Sequence, residues 1–192
     1  MIIKIIKEPD FRDTLIAMRL PMNGESNLEY YDESKLIWYE DLRLLTKLVK
    51  AGPDHSKCIR GAWVTFDITA ARYWWSEMDT YTIGKQPLSS TSTMHKITSR
   101  DLIKDDFEDN HVLPSTLRVL NTIRNLLGST NTEKLIEMKK ILPESFLQRR
   151  LIQINYQSLK NMYKQRRRHR LPEWKQFCIL LETLPYAKEL II

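Results

Sequence analysis

An α+β domain with a small sheet, long packed helices and a helix-rich C-terminal half is the fold class this sequence predicts. Three observations lead there. Short β-branched and aromatic runs stand in the first half, at Ile2–Ile6 and Gly61–Ile68. Helical spacing with well-formed ends dominates after Pro114. No apolar run reaches the roughly 18 residues that would span a membrane. With 192 residues, 42% hydrophobic and 28% charged, the chain can bury a sizeable core, and a single domain over 1–192 is expected.

The elements follow in order. IIKII reads as a short strand, alternating too little for an exposed one. DFRDTLIAMRL has helical spacing and an Asp placed to cap it, and PMNGESNLEYYDES reads as a loop of turn residues. KLIWYEDLRLLTKLVKAG sets Leu36, Leu42, Leu45 and Leu48 near helical periods and stops at Gly52. The strand GAWVTFDI comes next, then a helix from Thr69 to Tyr81 and a hydroxyl-rich loop through Lys96. Pro114 and Gly128 bracket one helix, and Asn131 is placed to cap another. LPESFLQRRLIQINYQSLKNMYKQRRRHR reads as the longest helix, and LPEWKQFCILLETL repeats its Leu-Pro-Glu opening.

Net charge is +6 and the pI about 9.3, which favours anionic partners. Much of the excess sits in Lys164–Arg170, the segment through which nucleic acid would bind, although cations at a helix end also complement its dipole. The opening residues do not suit a signal peptide, and two distant cysteines, Cys58 and Cys178, read as reduced thiols; a cytoplasmic protein without membrane association is expected. The four histidines, His55, His95, His111 and His169, lie in separate segments and suggest no metal site. No Walker loop, GxSxG, HExxH or GxGxxG occurs. With five glycines, any phosphate must be held by side chains or a helix N-terminus. Asn155 and Arg166, eleven residues apart, would share a helix face about 16 Å apart along the axis. Two polar groups on an otherwise apolar face need partners. A phosphate on Arg166 and a ring or ribose on Asn155 would supply them. So would an internal carboxylate and backbone.

At this point a family likeness enters. NYQSLKNMYKQR (Asn155–Arg166), followed by PEW, resembles the C-terminal helix motif of the flavin-dependent thymidylate synthases, the ThyX family. LVKAGPDHSKCIRGAWVTFDI looks like that family's helix, histidine-containing loop and aromatic strand, and AARYWW like its approach to the signature. The likeness covers residues 36–96 and 143–186. It implies the ThyX fold, a homotetramer with sites at subunit interfaces, a pyrimidine nucleotide (dUMP) as ligand and FAD as cofactor.

The departures fall on the cofactor's grip. The family signature is R-H-R, a spacer, then S-x-N-E-x-S-x-R-Y, and by register from Arg72 and Trp74 the R-H-R positions hold Ser76, Glu77 and Met78. Gln157 replaces the arginine two residues after Asn155. Losing two or three charge-assisted hydrogen bonds, each about 1.5–3 kcal/mol, would weaken flavin binding by orders of magnitude. Carried over residue by residue, the resemblance assigns Ser90, Ser92 and Glu77 to chemistry. It assigns Arg166, Arg72 and Gln157 to the nucleotide, and Asn155, His55 and Trp75 to the cofactor. Trp74 and Trp75 read first as core or subunit-interface packing, with stacking of one of them on a base or an isoalloxazine ring as the alternative. The expected function is pyrimidine-nucleotide binding in nucleotide metabolism, with thymidylate-synthase-type chemistry or without turnover. The alternatives are an inactive phage-type sequestering protein on this fold and a basic nucleic-acid-binding protein.

Overall fold

The structure, a computed structural model, describes residues 1–93, 97–126 and 131–192, with the backbone alone at 126 and 131. Strands β1 (Ile2–Lys7), β2 (Trp63–Ala71), β3 (Lys85–Ser90) and β4 (Leu147–Asn155) form one antiparallel sheet in the order β1-β2-β4-β3. The rest is mostly helix, and the class is α+β as the sequence predicts. Among the described residues no helix is long and apolar enough to cross a membrane. The chain divides into two compact units.

The first unit gathers Met1–Ile3, Asp67–Thr80 and Pro87–Leu151. Its helices are α4 (Arg72–Met78), α5 (Pro114–Leu126) and α6 (Asn131–Ile141). Ile97, Leu102, Phe107, Leu120, Met138 and Leu142 form a small core, with Phe107 edge-on to Phe146. On α4, Trp74 and Trp75 are both buried and meet edge to face at 5.0 Å. Each such side chain contributes about 1.5–3 kcal/mol by leaving water.

The second unit holds Lys4–Phe66, Tyr81–Gln86 and Ile152–Ile192. Its helices are α1 (Arg12–Arg19), α2 (Leu28–Ser34), α3 (Tyr39–Ala51), α7 (Tyr156–Arg166), α8 (Pro172–Leu181) and α9 (Ala187–Leu190), with a 3-10 turn at Lys57–Gly61. Phe11 packs edge-on to Tyr156 at 5.2 Å and Tyr186 at 5.4 Å, and Phe177 joins Phe66 to Trp174. Burial pushes the Tyr156 phenol far up from its ordinary pKa, so it stays a donor, to Pro185 O at 2.8 Å. The buried carboxylate of Asp41 is satisfied by Arg19 Nη2 at 2.6 Å and by the backbone N–H of Asn27 at 3.0 Å.

Several local expectations are corrected. The stretch read as a loop before residue 35 contains α2, whose N-cap Asn27 accepts a hydrogen bond from Tyr30 N. Asp10 lies one residue outside the N-cap of α1 and accepts from Arg12 N instead. β1 is an exposed edge strand, with Ile2 60% and Ile6 56% accessible. The strand through Ile68 runs on to Ala71, so the helix expected from Thr69 begins at Arg72. The hydroxyl-rich loop contains β3. The largest correction concerns the long helix: residues 147–155 are β4, and α7 starts at Tyr156. LQRRLIQIN is a period-two pattern in which Ile152 and Ile154 are buried, and a strand needs no more than that. Leu151 therefore shares no helix face with Leu159 or Arg166. The expectations for Gly128 as a helix stop, the Asn131 side chain as a cap, and His95 and Lys96 lie outside the described residues.

Candidate functional site

In the first unit, the end of β3 and the start of β4 make a polar cleft of about 270 Å³, lined by Asp67, Ser89, Ser90, Thr91, Arg149 and Leu151. Antiparallel pairing places it: Thr91 N donates to Arg149 O at 2.8 Å, and Arg149 N donates to Thr91 Oγ1 at 3.2 Å. The Arg149 guanidinium lies fork to fork on the buried Asp67 carboxylate, with Nε 2.7 Å from Oδ1. That hydrogen-bonded pairing, and then the charge of Asp67, raises the pKa of Arg149. Ser89 and Ser90 are exposed on the rim. A guanidinium aimed by a carboxylate, beside hydroxyls and an apolar floor, suits an oxygen-rich polar ligand.

Two other residues singled out in this unit, Arg72 and Trp75, make hydrogen bonds to backbone. Arg72 Nη1 donates to Leu142 O at 3.2 Å and Nη2 pairs with Glu144 Oε1 at 3.2 Å. Trp75 Nε1 donates to Gln148 O at 2.8 Å, and the Arg150 guanidinium covers its ring at 4.4 Å. Arg150 is fixed in turn by Asp79, 2.8 Å to Oδ2, and by Gln148 Oε1. Glu77 is half-buried on α4, and Ser92 follows the cleft on the far side of Thr91.

In the second unit, Asn155 is the N-cap of α7: its Oδ1 accepts from Ser158 N at 3.0 Å. Its own N–H donates to Gly84 O at 2.9 Å, and Ser158 Oγ donates to Ile83 O at 2.7 Å. Gly84 has φ +67°, and a Cβ there would lie 2.3 Å from Ser158 Oγ and 2.6 Å from Asn155 Nδ2. Only glycine fits this corner. Gln157 Oε1 accepts from buried Ser56 Oγ at 3.0 Å, while His55 next to it is exposed.

At the other end of α7, Arg166 Nε donates to Tyr81 Oη at 2.8 Å, and Tyr81 Oη donates to Gln165 Oε1 at 2.8 Å. The guanidinium lies over Trp174 at 4.6 Å and over Tyr81 at 5.5 Å. Stacking on aromatic faces fixes a guanidinium plane while its charge persists, an arrangement that recognises phosphate.

Within each unit, then, the structure joins Ser90 with Arg149 and Asp67, and Arg166 with Tyr81 and Trp174. Reading the sequence alone missed Arg149, Asp67, Tyr81 and Gly84. Arg149 was hidden by the helical reading of its strand. Gly84, one of five glycines, could have been noticed as a required turn. Among the described residues, no three His, Cys, Asp or Glu side chains form a metal-binding group.

No family model and no curated protein matches this chain. Solved structures do. A flavin-dependent thymidylate synthase ThyX from Helicobacter pylori, complexed with FAD and dUMP, superposes with a TM-score of 0.72 at 19% identity, covering 100% of this chain and 98% of that one. A second Helicobacter pylori ThyX structure, also with FAD and dUMP, gives 0.70 at 20% identity over 96% and 94% of the two chains. The UMP/dUMP methylase PolB from Streptomyces cacaoi, bound with 5-Br dUMP, gives 0.66 at 15% identity over 98% and 90%. At these identities the likeness is one of architecture, and it runs the whole length of the chain: this protein has a ThyX-like fold, carried by a strongly diverged sequence.

Proposed function

We propose that the protein binds a pyrimidine nucleotide, dUMP or a close relative, with Arg166 holding the phosphate. The observation that carries this reading is the full-length ThyX-like fold, shared with structures whose ligands are dUMP and 5-Br dUMP. The stacked Arg166 supports it, because a guanidinium held by Tyr81 and Trp174 needs little further ordering to meet a phosphate. Arg72, Gln157, Ser92, Glu77, His55 and the homotetramer belong to the same proposal on the strength of the resemblance alone.

FAD fits less well. A flavin diphosphate calls for cationic donors, and the three positions in register with R-H-R hold Ser76, Glu77 and Met78. Ser76 Oγ donates to Arg72 O, Met78 is fully buried, and Trp75 lies under Arg150. These residues do not provide the family's grip. The same observation favours a second reading, a nucleotide-binding or sequestering protein that uses the fold without flavin chemistry.

Titrating dUMP calorimetrically, and recording absorbance near 370 and 450 nm with FAD and dUMP separately and together, tests both. Saturable dUMP binding that weakens at least tenfold in Arg166→Ala is expected, without flavin absorbance in the dialysed protein. A yellow protein whose spectrum responds to dUMP would restore the flavin enzyme. No binding of any pyrimidine nucleotide would end the proposal.

A further inference from the structure

Helix α3 carries a feature that the dUMP reading does not use. Tyr39, Arg43, Lys47 and Lys50 follow one another at spacings of four, four and three and are all exposed. At about 100° per residue they keep to one strip of the helix surface, about 16 Å long. The strip edges a groove of about 460 Å³, lined also by Leu42, Thr46 and Glu189. Tyr39, 68% exposed, stands at one end and the three cations occupy the rest.

On many solvated helix faces charges of opposite sign pair at i, i+4. Lys50, in the last turn, complements the dipole, but Arg43 and Lys47 stand further back in the helix. Here the carboxylates of α3 are confined to its first turn, as Glu40 and Asp41. Asp41 is buried and bound to Arg19, and Glu40 reaches Arg43 only at 3.8 Å. Among the described residues no ion pair engages Lys47 or Lys50. Glu189 is the single carboxylate on the lining. The surface is concave, and Thr46 turns its hydroxyl back to Leu42 O at 2.7 Å, leaving its methyl group and Leu42 as an apolar floor.

We propose that this groove binds a nucleoside triphosphate, its base stacked on Tyr39 and its phosphates on Arg43, Lys47 and Lys50. Base stacking on an exposed aromatic is sequence-tolerant, so purine and pyrimidine triphosphates bind alike. Affinity rises with phosphate number, since three clustered cations reward a compact polyanion more than a monophosphate. The site concerns residues other than those proposed for dUMP, so either can fail alone.

The test is calorimetric titration of the full chain with ATP, dTTP and dUMP at low and moderate salt. The variants are the triple Arg43→Ala/Lys47→Ala/Lys50→Ala and the single Tyr39→Ala. All four positions are exposed, and unchanged thermal unfolding would confirm that the variants are folded. The expected result is similar binding of ATP and dTTP, weakened more than tenfold in the triple variant and severalfold in Tyr39→Ala. dUMP affinity should be unchanged in both. Equal triphosphate binding by wild type and triple variant, or none up to millimolar concentration, would overturn the site and leave a solvated helix face. An oligonucleotide dT15 that outcompetes ATP in wild type and is lost in the triple variant would overturn it in favour of a single-stranded nucleic-acid surface.

Discussion

β3 begins and ends beside polar side chains, and the two places treat them in opposite ways. Before the strand, at Gly84, polar groups are spent on backbone: Asn155 caps α7, Ser158 holds Ile83 O, and Asn155 N–H holds Gly84 O. At its end, the Ser89 and Ser90 hydroxyls stand exposed around an open cleft with an arginine aimed by Asp67, and only Thr91 Oγ1 is engaged by backbone, at Arg149. A residue type alone does not tell a ligand-binding group from one that holds the fold. What separates them is whether a backbone group already needs it.

The first way to break that contrast is Gly84→Ala. The added Cβ meets Ser158 and Asn155 within 2.3–2.7 Å at a positive φ, so a loss of about 3 kcal/mol is expected in urea unfolding. A value under about 1 kcal/mol would mean the corner yields easily. Asn155→Ala removes the cap and should cost about 1–2 kcal/mol, with Asn155→Ser recovering part of it. Equal losses in the two variants would show that the cap oxygen is not what matters. On the open side, Ser90→Ala should change stability by less than about 0.5 kcal/mol, while thermal shift or calorimetry with dUMP reports any effect on binding. A large stability loss there would place Ser90 with the structural residues.

The smallest effect is chemical. Burial pushes the Cys178 thiol up to about 11, with the charge of Glu182 adding to it, and burial also raises Cys58. At pH 8 only about one Cys178 in a thousand is thiolate. Because the folded pKa lies above the unfolded one, this contribution to stability is complete below pH 9 and is lost as pH rises through about 11. Native protein should react slowly with iodoacetamide at pH 8, and Ser90→Cys should add one fast-reacting thiol. If Ser90→Cys labelled no faster than wild type, the cleft would be closed in solution.

Much of the architecture was legible because it depends on local pattern. The period-3.6 spacing before Gly52, the Pro172 opening of α8 and the β-branched run at 63–68 each name their own element. Where two patterns compete over nine residues, local reading failed. LQRRLIQIN satisfies a strand, yet its continuation into a true helix made the whole stretch look helical. The motif around Asn155 and Arg166 was visible as a motif. Its geometry was not, since Asn155 is the cap that precedes the helix and Arg166 lies in its last turn, rather than both lying within one long, otherwise apolar helix face.

The sequence by itself determined the α+β class, the basic balance, the absence of the R-H-R cations and the likeness that led to a ThyX-like fold. All of these are properties of composition, period and residue identity along the chain. Only the tertiary structure decided which polar groups are already occupied. Residues 82 positions apart, Asp67 and Arg149, form one ion pair, and residues 85 apart, Tyr81 and Arg166, form one stacked donor site. Strand pairing and helix packing bring them together, and no periodicity in the chain encodes distances that long.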